Sequence, residues 1–195
     1  MKKIVLASNN KHKIKEFREI LKDYEILSLN DIDFMDDIVE DGDSFLDNAL
    51  IKAKTISEYL KKKRKKYLVV ADDSGLCCDA LDGKPGIYSA RYAGNHNDQA
   101  NRDKLREDLK DKDRSAHFVC GIVLYRPDNS YSYFEGQTFG KIIDEEKGKT
   151  DFGYDSIFLS DDLDKTFGEA NEDEKNSVSH RKRAIEKLLG ELNEK

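Results

Sequence analysis

The start of the chain constrains its fold more than any other stretch. Residues 3–7 are a short apolar run typical of a buried strand, and residues 8–10 are polar and interrupt it. In the segment that follows, Ile14, Phe17 and Leu21 recur at steps of three and four residues, which predicts a helix with one apolar face. A strand, a polar turn and a helix in this order predict an α/β domain.

The same alternation of strand and helix patterns continues along the chain. Further strands are predicted at residues 25–29, 68–70, 116–125, 131–134, 136–143 and 154–159, and further helices at residues 98–110 and 179–192. A long helix begins at a capping-box-like stretch, residues 44–47, and ends within residues 61–66. Residues 126–129 read as a turn, so we expect an antiparallel hairpin in a mixed sheet. The 195 residues contain no internal repeat or clear linker, and we predict one domain over residues 1–195.

The overall charge argues against a nucleic-acid-binding protein. The chain has 40 acidic and 34 basic residues and a net charge of −6, so its overall field repels polynucleotides. Residues 61–66 are six consecutive cations, and they leave a non-enzymatic nucleic-acid-binding module open as an alternative. We favour the interpretation that they are solvated at a helix C-terminus, where they complement the helix dipole. We therefore expect no stable nucleic-acid partner.

Nothing in the sequence predicts a membrane segment or secretion. The chain opens on a strand-like run without the apolar region of a signal peptide, and no later stretch approaches the roughly 18 apolar residues of a spanning helix. Cys77, Cys78 and Cys120 form no C-x-x-C pair, so we predict buried free thiols and neither a zinc site nor a disulfide framework. We expect a soluble cytoplasmic protein with no membrane partner.

Adjacent carboxylates follow the predicted strand at residues 68–70. Asp72 and Asp73 lie at its expected exit, Ser74 opens the expected loop, and we expect Asp72 to support the turn through its side chain. Glu40 supplies a further carboxylate from an acid-rich loop. Hard carboxylate oxygens without a Cys/His cluster favour Mg²⁺, which commonly bridges one or two carboxylates to substrate phosphates. These residues therefore predict a magnesium-dependent nucleotide site.

The turn after the first predicted strand is suited to a phosphate. The N–H groups and the dipole of the predicted helix point at residues 8–10, and Lys11, His12 and Lys13 add positive charge. The turn is not a Walker A loop, because the glycines and the G-K-[ST] ending are missing. The alternative is an ordinary helix cap by an Asn with solvated lysines, and the turn taken alone favours that alternative.

The C-terminal part of the chain carries a second group of candidate residues. His180 and Arg181 fall in the first turn of the helix predicted at residues 179–192, where cations oppose the helix dipole, and this mismatch indicates a functional role. Phe152 and Tyr154 are suited to stack on a base, although aromatic residues that enter a strand are more often part of a core.

Six segments of the chain, taken in order, resemble the inosine triphosphate pyrophosphatase family, also called Ham1-like. They read SNNKHKIKE, SFLDNALIKA, ADDSGL, GKPGIYSARYAG, FGYDSIF and EKNSVSHRKRA, and they cover nearly the whole chain. The resemblance implies an elongated α/β fold with a long mixed β-sheet flanked by helices, two lobes, a central substrate cleft and a homodimer. It also implies Mg²⁺-dependent hydrolysis of a non-standard purine nucleoside triphosphate (ITP, dITP or XTP) to the monophosphate and pyrophosphate.

The resemblance also implies roles for individual residues. The phosphate-binding turn is Ser8, Asn9, Asn10, Lys11, His12 and Lys13. The metal ligands are Glu40 and Asp73, the catalytic proton acceptor is Asp73, and Ser74 is a substrate contact. The base pocket is Phe152, Gly153, Tyr154, Asp155, Lys175, His180 and Arg181. The family's first turn commonly reads T-G-N, so Asn9 replaces a glycine here; we expect a changed approach of the phosphate and a retained activity.

Base specificity follows from hydrogen-bonding groups. Arg181 offers only donors, so it suits the 6-keto oxygen of hypoxanthine or xanthine and rejects adenine, whose amino group also donates. A Maf-like nucleotide pyrophosphatase with a pyrimidine or modified-nucleotide preference is the nearer alternative. The FGYD and SHR motifs argue against that alternative.

Overall fold

A computed structural model describes residues 2–194 of the chain. Its strands are β1 (Lys2–Leu6), β2 (Tyr24–Leu27), β3 (Leu68–Cys78), β4 (Ser115–Tyr125), β5 (Tyr131–Ile142), β6 (Phe158–Ser160) and β7 (Lys165–Thr166). Its helices are α1 (Lys11–Ile20), α2 (Phe45–Lys62), α3 (Asp98–Asp108), α4 (Glu172–Val178) and α5 (His180–Asn193). Short 3₁₀ turns lie at Asn30–Ile32, Asp79–Leu81, Gly86–Arg91 and Asp155–Ile157.

The strands form one seven-stranded sheet in the order β2-β1-β3-β4-β5-β6-β7. Strand β1 pairs in parallel with β2 and with β3, whereas β6 pairs antiparallel with β5 and with β7. The turn between β4 and β5 is closed by the Arg126 N–H, which donates to the Ser130 carbonyl at 2.9 Å. The predicted α/β fold with a mixed sheet flanked by helices is confirmed.

The described chain divides into two compact units. The first contains the chain up to Asp73, together with Cys120–Gly136 and the segment from Lys182 onward; the second contains Ser74–Val119 and Gln137–Arg181. Strands β3, β4 and β5 contribute residues to both units. A single domain over residues 1–195 stays a prediction.

In the first unit, β1 is buried on both faces. Ile4 and Leu6 pack in a cluster with residues of α1 and α5, and Val5 and Ala7 pack in a second cluster with residues of α2. Successive side chains of a strand point to opposite faces, so this short strand packs into both hydrophobic clusters. This double burial explains why residues 3–7 read as a continuous apolar run.

In the second unit, an aromatic cluster packs β4 and β6 against Phe167, the residue that follows β7. The Phe118 and Phe158 ring centroids are 4.7 Å apart, and Phe167 lies 5.0 Å from Phe158. Leu105 of α3 and Leu109, which directly follows the helix, are fully buried in the same cluster. The same cluster contains Ile157, so it fixes the turn that precedes β6.

The helix starts follow local capping chemistry. In α2 the Ser44 hydroxyl oxygen accepts the Asp47 N–H at 3.0 Å, but the Asp47 carboxylate bonds the Ser44 hydroxyl and not its backbone, so the predicted capping box is only half formed. A complete capping box stands instead at α4, a helix missing from the predicted set, where Asn171 and Glu174 bond each other's backbone. The Asn-x-x-Glu spacing was the available signal.

Two predicted boundaries are wrong. Strand β3 does not end before Asp72 but continues through Cys78, so Asp72, Asp73 and Ser74 lie within a strand and Asp72 does not support a turn. The strand continues because Leu76, the cysteines after it and the preceding valines are all buried. The strand predicted at residues 154–159 begins only at Phe158, because residues 155–157 form a 3₁₀ turn.

The cysteines and the cation run of residues 61–66 agree with the sequence predictions. All three cysteines are free and buried, as predicted. The cation run of residues 61–66 spans the C-terminal end of α2, and five of its six side chains, residues 62–66, are exposed, as expected for a solvated helix terminus. Between residues 2 and 194 no helix is both long and apolar enough to cross a bilayer.

Candidate functional site

The turn after β1 is a capped helix start. The Asn10 side chain accepts the N–H groups of His12 at 3.0 Å and Lys13 at 3.2 Å, and the Ser8 hydroxyl oxygen accepts the Asn10 N–H at 3.1 Å. The ordinary cap that the turn alone favours is therefore present. Lys11 and His12 are exposed beside it.

Asn9 fits the turn without backbone strain. The non-glycine residues with positive φ in residues 2–194 are Asp33, Arg64, Asp82, His96, Asp111, Asn129 and Asp164. Asn9 is outside this set, and its side-chain oxygen accepts the Asn30 N–H at 2.9 Å. Asn9, which stands where the resemblance leads us to expect a glycine, therefore ties the turn to the segment after β2.

Lys13 connects α1 to β3. Its ammonium lies 2.8 Å from the Asp72 carboxylate, and the Asp72 side chain is only 2% exposed. A carboxylate so buried requires a cationic partner, because desolvation of an isolated charge is costly. The pairing explains how Asp72 is tolerated inside a strand.

Lys52 on α2 lies between two segments that carry carboxylates. Its ammonium is 3.0 Å from the Glu40 carboxylate and 2.6 Å from the Asp72 carbonyl oxygen, and its side chain is 11% exposed. Glu40 and the backbone of β3 thus share one buried cation. The sequence interpretation selected Glu40 but not Lys52.

Asn48, one helical turn before Lys52, contacts Asp73. Its side-chain N–H₂ donates to the Asp73 carboxylate at 3.0 Å, and its side-chain oxygen accepts the Gly42 N–H at 2.9 Å. Residues four apart on a helix share one face, so the SFLDNALIKA motif contained the signal for both Asn48 and Lys52.

The electrostatic environment makes Asp73 a better proton acceptor than an ordinary aspartate. Burial raises the pKa of the Asp73 carboxyl, and the Glu40 and Asp72 charges raise it further, while Lys52 and the Asn48 hydrogen bond oppose the shift. Desolvation and neighbouring negative charge both disfavour the ionised form. Asp73 therefore combines a basic carboxylate with a fixed orientation.

A cavity of about 260 Å³ opens beside Glu40 and Lys52 in the first unit. It is lined by Ala7, Asn9, Leu29, Asn30, Phe34, Met35, Asp36, Asp37, Ile38, Glu40 and Lys52. The wall combines carboxylates, amides and one ammonium with apolar side chains. These groups suit a polar ligand that arrives with a cation.

In the second unit, Lys175 and Asp155 form an ion pair. Burial raises the pKa of the Asp155 carboxyl, and the Lys175 charge opposes that shift. The Lys175 ammonium also lies 4.8 Å from the ring centroid of Phe152, whose side chain is 59% exposed. The three residues form one group with an aromatic face at the surface.

The loop before β6 is anchored by α3. The Gly153 N–H donates to the Asp98 carboxylate at 2.9 Å, and the Gly153 carbonyl accepts from Arg102 at 2.7 Å. Tyr154 is buried and its hydroxyl donates to the Ser89 carbonyl at 2.6 Å, so Tyr154 belongs to the core whereas Phe152 does not. Asp98 and Arg102 were missed by the sequence interpretation; their i, i+4 spacing was the only signal.

His180 and Arg181 occupy the first turn of α5, as predicted. The His180 ring stacks on Phe118 with centroids 5.1 Å apart, so the aromatic cluster of the second unit fixes its orientation. Arg181 and Ser74 are half-buried.

The predicted site residues therefore fall into two groups. The first unit holds the turn residues, the metal-ligand candidates and Lys13; the second holds Ser74 and the residues assigned to the base pocket. Among the residues that the structure describes, no three His, Cys, Asp or Glu side chains form a cluster that could hold a metal unaided.

Comparison with known proteins identifies the family. The profile of the Ham1 family matches residues 4–191. The chain is 49% identical to the dITP/XTP pyrophosphatase of Clostridium perfringens, with 98% of each chain covered, and 43% identical to that of Bacillus subtilis, with 96% of each covered. The solved Ham1 protein of Staphylococcus aureus aligns with a TM-score of 0.89 at 41% identity over 98% of each chain. A HAM1 protein from Coxiella burnetii aligns at 0.90 and 36% identity over all of both chains. The chain therefore belongs to the Ham1 family.

Proposed function

We propose that this protein is a nucleoside triphosphate pyrophosphatase that hydrolyses non-standard purine nucleotides (ITP, dITP and XTP) to the monophosphate and pyrophosphate. The observation that carries the proposal is similarity over nearly the full length to proteins named dITP/XTP pyrophosphatase. This chain is 42–49% identical to those of the Bacillus and Clostridium species compared. The paired carboxylates and lysines of the first unit supply a suitable chemistry. The family match favours this interpretation over a Maf-like enzyme.

Glu40 and Asp73 are suited to hold Mg²⁺. The Glu40 carboxylate and the Asp72 carbonyl oxygen both contact the Lys52 ammonium. Oxygen atoms of the loop and of β3 are therefore already arranged around a positive charge. Mg²⁺ is commonly held by one or two carboxylates, with waters and substrate phosphates completing the shell, so a preformed cluster of three is unnecessary. When bound, the metal would neutralise phosphate charge and polarise a water.

The remaining steps belong to side chains of this protein. Asp73, held by Asn48, accepts the proton of the attacking water at its carboxylate as the water adds to the α-phosphorus and pyrophosphate leaves. Lys13 and Lys175 oppose the negative charge of the phosphates. Positioning and charge neutralisation account for most of the rate in such a displacement.

Base recognition is assigned to the second unit. The exposed Phe152 ring offers a face for stacking, and Arg181 donates to the 6-keto oxygen of hypoxanthine or xanthine. His180 and Asp155 also belong to the proposed base pocket. Stacking on Phe118 orients His180, and the ion pair with Lys175 orients Asp155. Adenine presents a donor at the same position and is rejected.

The test is pyrophosphate release from a panel of nucleoside triphosphates with and without Mg²⁺. We expect dITP, ITP and XTP to be cleaved with kcat/KM about 10²-fold or more above that of ATP, and only with the metal present. Preferred cleavage of a pyrimidine nucleotide would support the Maf-like alternative. Salt-dependent polynucleotide binding without pyrophosphate release would support a binding module and contradict the proposal.

The same proposal includes a homodimer located in the cytoplasm, as the resemblance implies. Sedimentation velocity of the purified chain tests the oligomeric state, and a single species of monomer mass at micromolar concentration would contradict it. The proposal includes no stable polynucleotide partner, and the salt-dependence measurement covers that point as well.

A further inference from the structure

Asn48 connects two separate segments of the first unit. Its side chain is 2% exposed, near the start of α2. A backbone N–H can only donate, so the contact with Gly42 assigns the amide oxygen of Asn48 to that side and leaves its N–H₂ for Asp73. Both ends of one short amide are thus used, at 2.9 and 3.0 Å.

The space around Gly42 also shows close packing at this point. A Cβ placed on Gly42 would lie 2.6 Å from the Asp47 Cβ and 2.9 Å from the Asn48 side-chain oxygen. The backbone of the loop therefore lies directly on the start of α2. Glu40 is two residues earlier in the same loop, so its backbone position depends on this contact.

We propose that Asn48 is a positioning residue that holds the loop bearing Glu40 and the carboxylate of Asp73 in place, so that both serve one divalent cation. The inference rests on the proposed function, because it concerns the same two carboxylates. Asn48 itself does not touch the metal. Its donated hydrogen bond fixes the rotation of the Asp73 carboxylate, and its accepted hydrogen bond fixes the loop.

The competing explanation is that Asn48 only anchors the start of α2. The two explanations differ in one measurable quantity, the affinity for a divalent cation in the absence of nucleotide. Loss of a helix anchor lowers the free energy of unfolding, but the affinity for the cation is unchanged in the molecules that stay folded. Loss of a positioning contact weakens it, typically 10- to 100-fold for partners that orient metal ligands.

The experiment measures Mn²⁺ binding to the full chain by electron paramagnetic resonance, without nucleotide. The variants are Asn48→Leu, which keeps the branched shape and removes both hydrogen bonds, and Gly42→Ala, which keeps Asn48 and displaces the loop. Ser57→Ala is the matched control, because Ser57 is also polar and buried on α2 but lies outside the site. Thermal unfolding of each variant is recorded in parallel.

We expect Asn48→Leu and Gly42→Ala each to weaken Mn²⁺ binding about 10-fold or more, and Ser57→Ala to bind as the wild type does. If Asn48→Leu does not fold, Gly42→Ala decides the question. Wild-type affinity in a folded Asn48→Leu, or in Gly42→Ala when Asn48→Leu is unfolded, overturns the inference, as does a wild type that binds no Mn²⁺.

Pyrophosphate release from dITP is measured on the same samples and separates the two proposals. A wild type that binds Mn²⁺ but releases no pyrophosphate from dITP, ITP or XTP contradicts the proposed function, and the binding comparison among variants still judges Asn48. A wild type that hydrolyses dITP while Asn48→Leu and Gly42→Ala bind Mn²⁺ normally contradicts only the role of Asn48.

Discussion

Asp73 and Arg181 are the residues whose side-chain chemistry is most directly tied to the proposed reaction. Asp73 is half-buried, is hydrogen-bonded by Asn48 and has its pKa raised by burial. Arg181 lies in the first turn of α5, next to a histidine whose ring is fixed by stacking on Phe118. One residue is assigned to proton transfer and metal binding, the other to the choice of base, so their substitutions should have different kinetic effects.

Replacement of Asp73 by asparagine is expected to lower kcat about 10²-fold or more, because an amide cannot accept the proton of the attacking water and is a poorer metal ligand. The side-chain shape is conserved, so folding should be kept. Steady-state pyrophosphate release from dITP at saturating Mg²⁺ measures the effect. Asp79→Asn, at an exposed carboxylate just after β3, serves as the control, and near-normal turnover by the Asp73 variant would remove Asp73 from the mechanism.

Replacement of Arg181 by alanine is expected to reduce discrimination between ITP and ATP. The ratio of their kcat/KM values should fall about 10-fold or more, because the donor that distinguishes a 6-keto oxygen from a 6-amino group is removed. Exchange of the nearby exposed Lys187 for alanine provides a comparison on the same helix. An unchanged ratio in the Arg181 variant would contradict its assignment to the base.

At the scale of elements, β3 is the strand on which the first group of candidate residues depends. It carries Asp72 and Asp73 and receives contacts from Lys13 of α1 and from Lys52 and Asn48 of α2. Farther along, the Leu76 N–H donates to the Ser89 hydroxyl at 2.8 Å, so the second half of the strand is held by the segment after it. Strand β3 therefore tolerates little change in its backbone.

Replacement of Gly75 by alanine tests this conclusion. A Cβ at Gly75 would overlap the Gly86 carbonyl oxygen and lie 2.7 Å from the Ser89 hydroxyl, so backbone must shift. We expect the free energy of unfolding to fall by about 1–3 kcal/mol, as measured by urea denaturation. Gly190→Ala is the matched control, because a Cβ there meets nothing within 4 Å and the residue lies in α5, where alanine should stabilise by up to about 1 kcal/mol. Equal stability of the two variants would refute the close approach.

At the scale of the whole molecule, the order of motifs along the chain was sufficient to predict the family and the mixed α/β fold. What could not be predicted depends on contacts between distant residues. Asp72 was assigned to a turn because aspartate side chains often cap the turn after a strand, whereas the structure buries it in β3 with Lys13, fifty-nine positions earlier, as an ionic partner. Asn48 and Lys52 were not singled out from the sequence, although both lie in the SFLDNALIKA motif. Their partners, Gly42 and Asp73 for Asn48 and Glu40 for Lys52, are brought to them only by the fold.

Thiol labelling tests whether the native fold shields all three cysteines from solvent. Cys77 is 8% exposed, Cys78 and Cys120 are fully buried, and burial raises the pKa of the Cys78 thiol to about 12, with Cys77 and Asp79 adding to the shift. We expect Ellman's reagent at pH 8 to label none of the three thiols within minutes in the native protein and all three after unfolding in guanidinium. Rapid labelling of the native protein would show that the thiols are more accessible than the structure implies.

The division of the chain between Asp73 and Ser74 has a consequence for how activity and selectivity can change. The proposed proton acceptor, Asp73, and the second metal-ligand candidate, Glu40, belong to the first unit, and the residues assigned to base choice belong to the second. We therefore expect substitutions confined to residues 74–119 and 137–181 to alter which base is accepted while Asp73 and Glu40 stay unchanged. On this proposal, the choice of base can evolve within one polypeptide while the proton acceptor is kept.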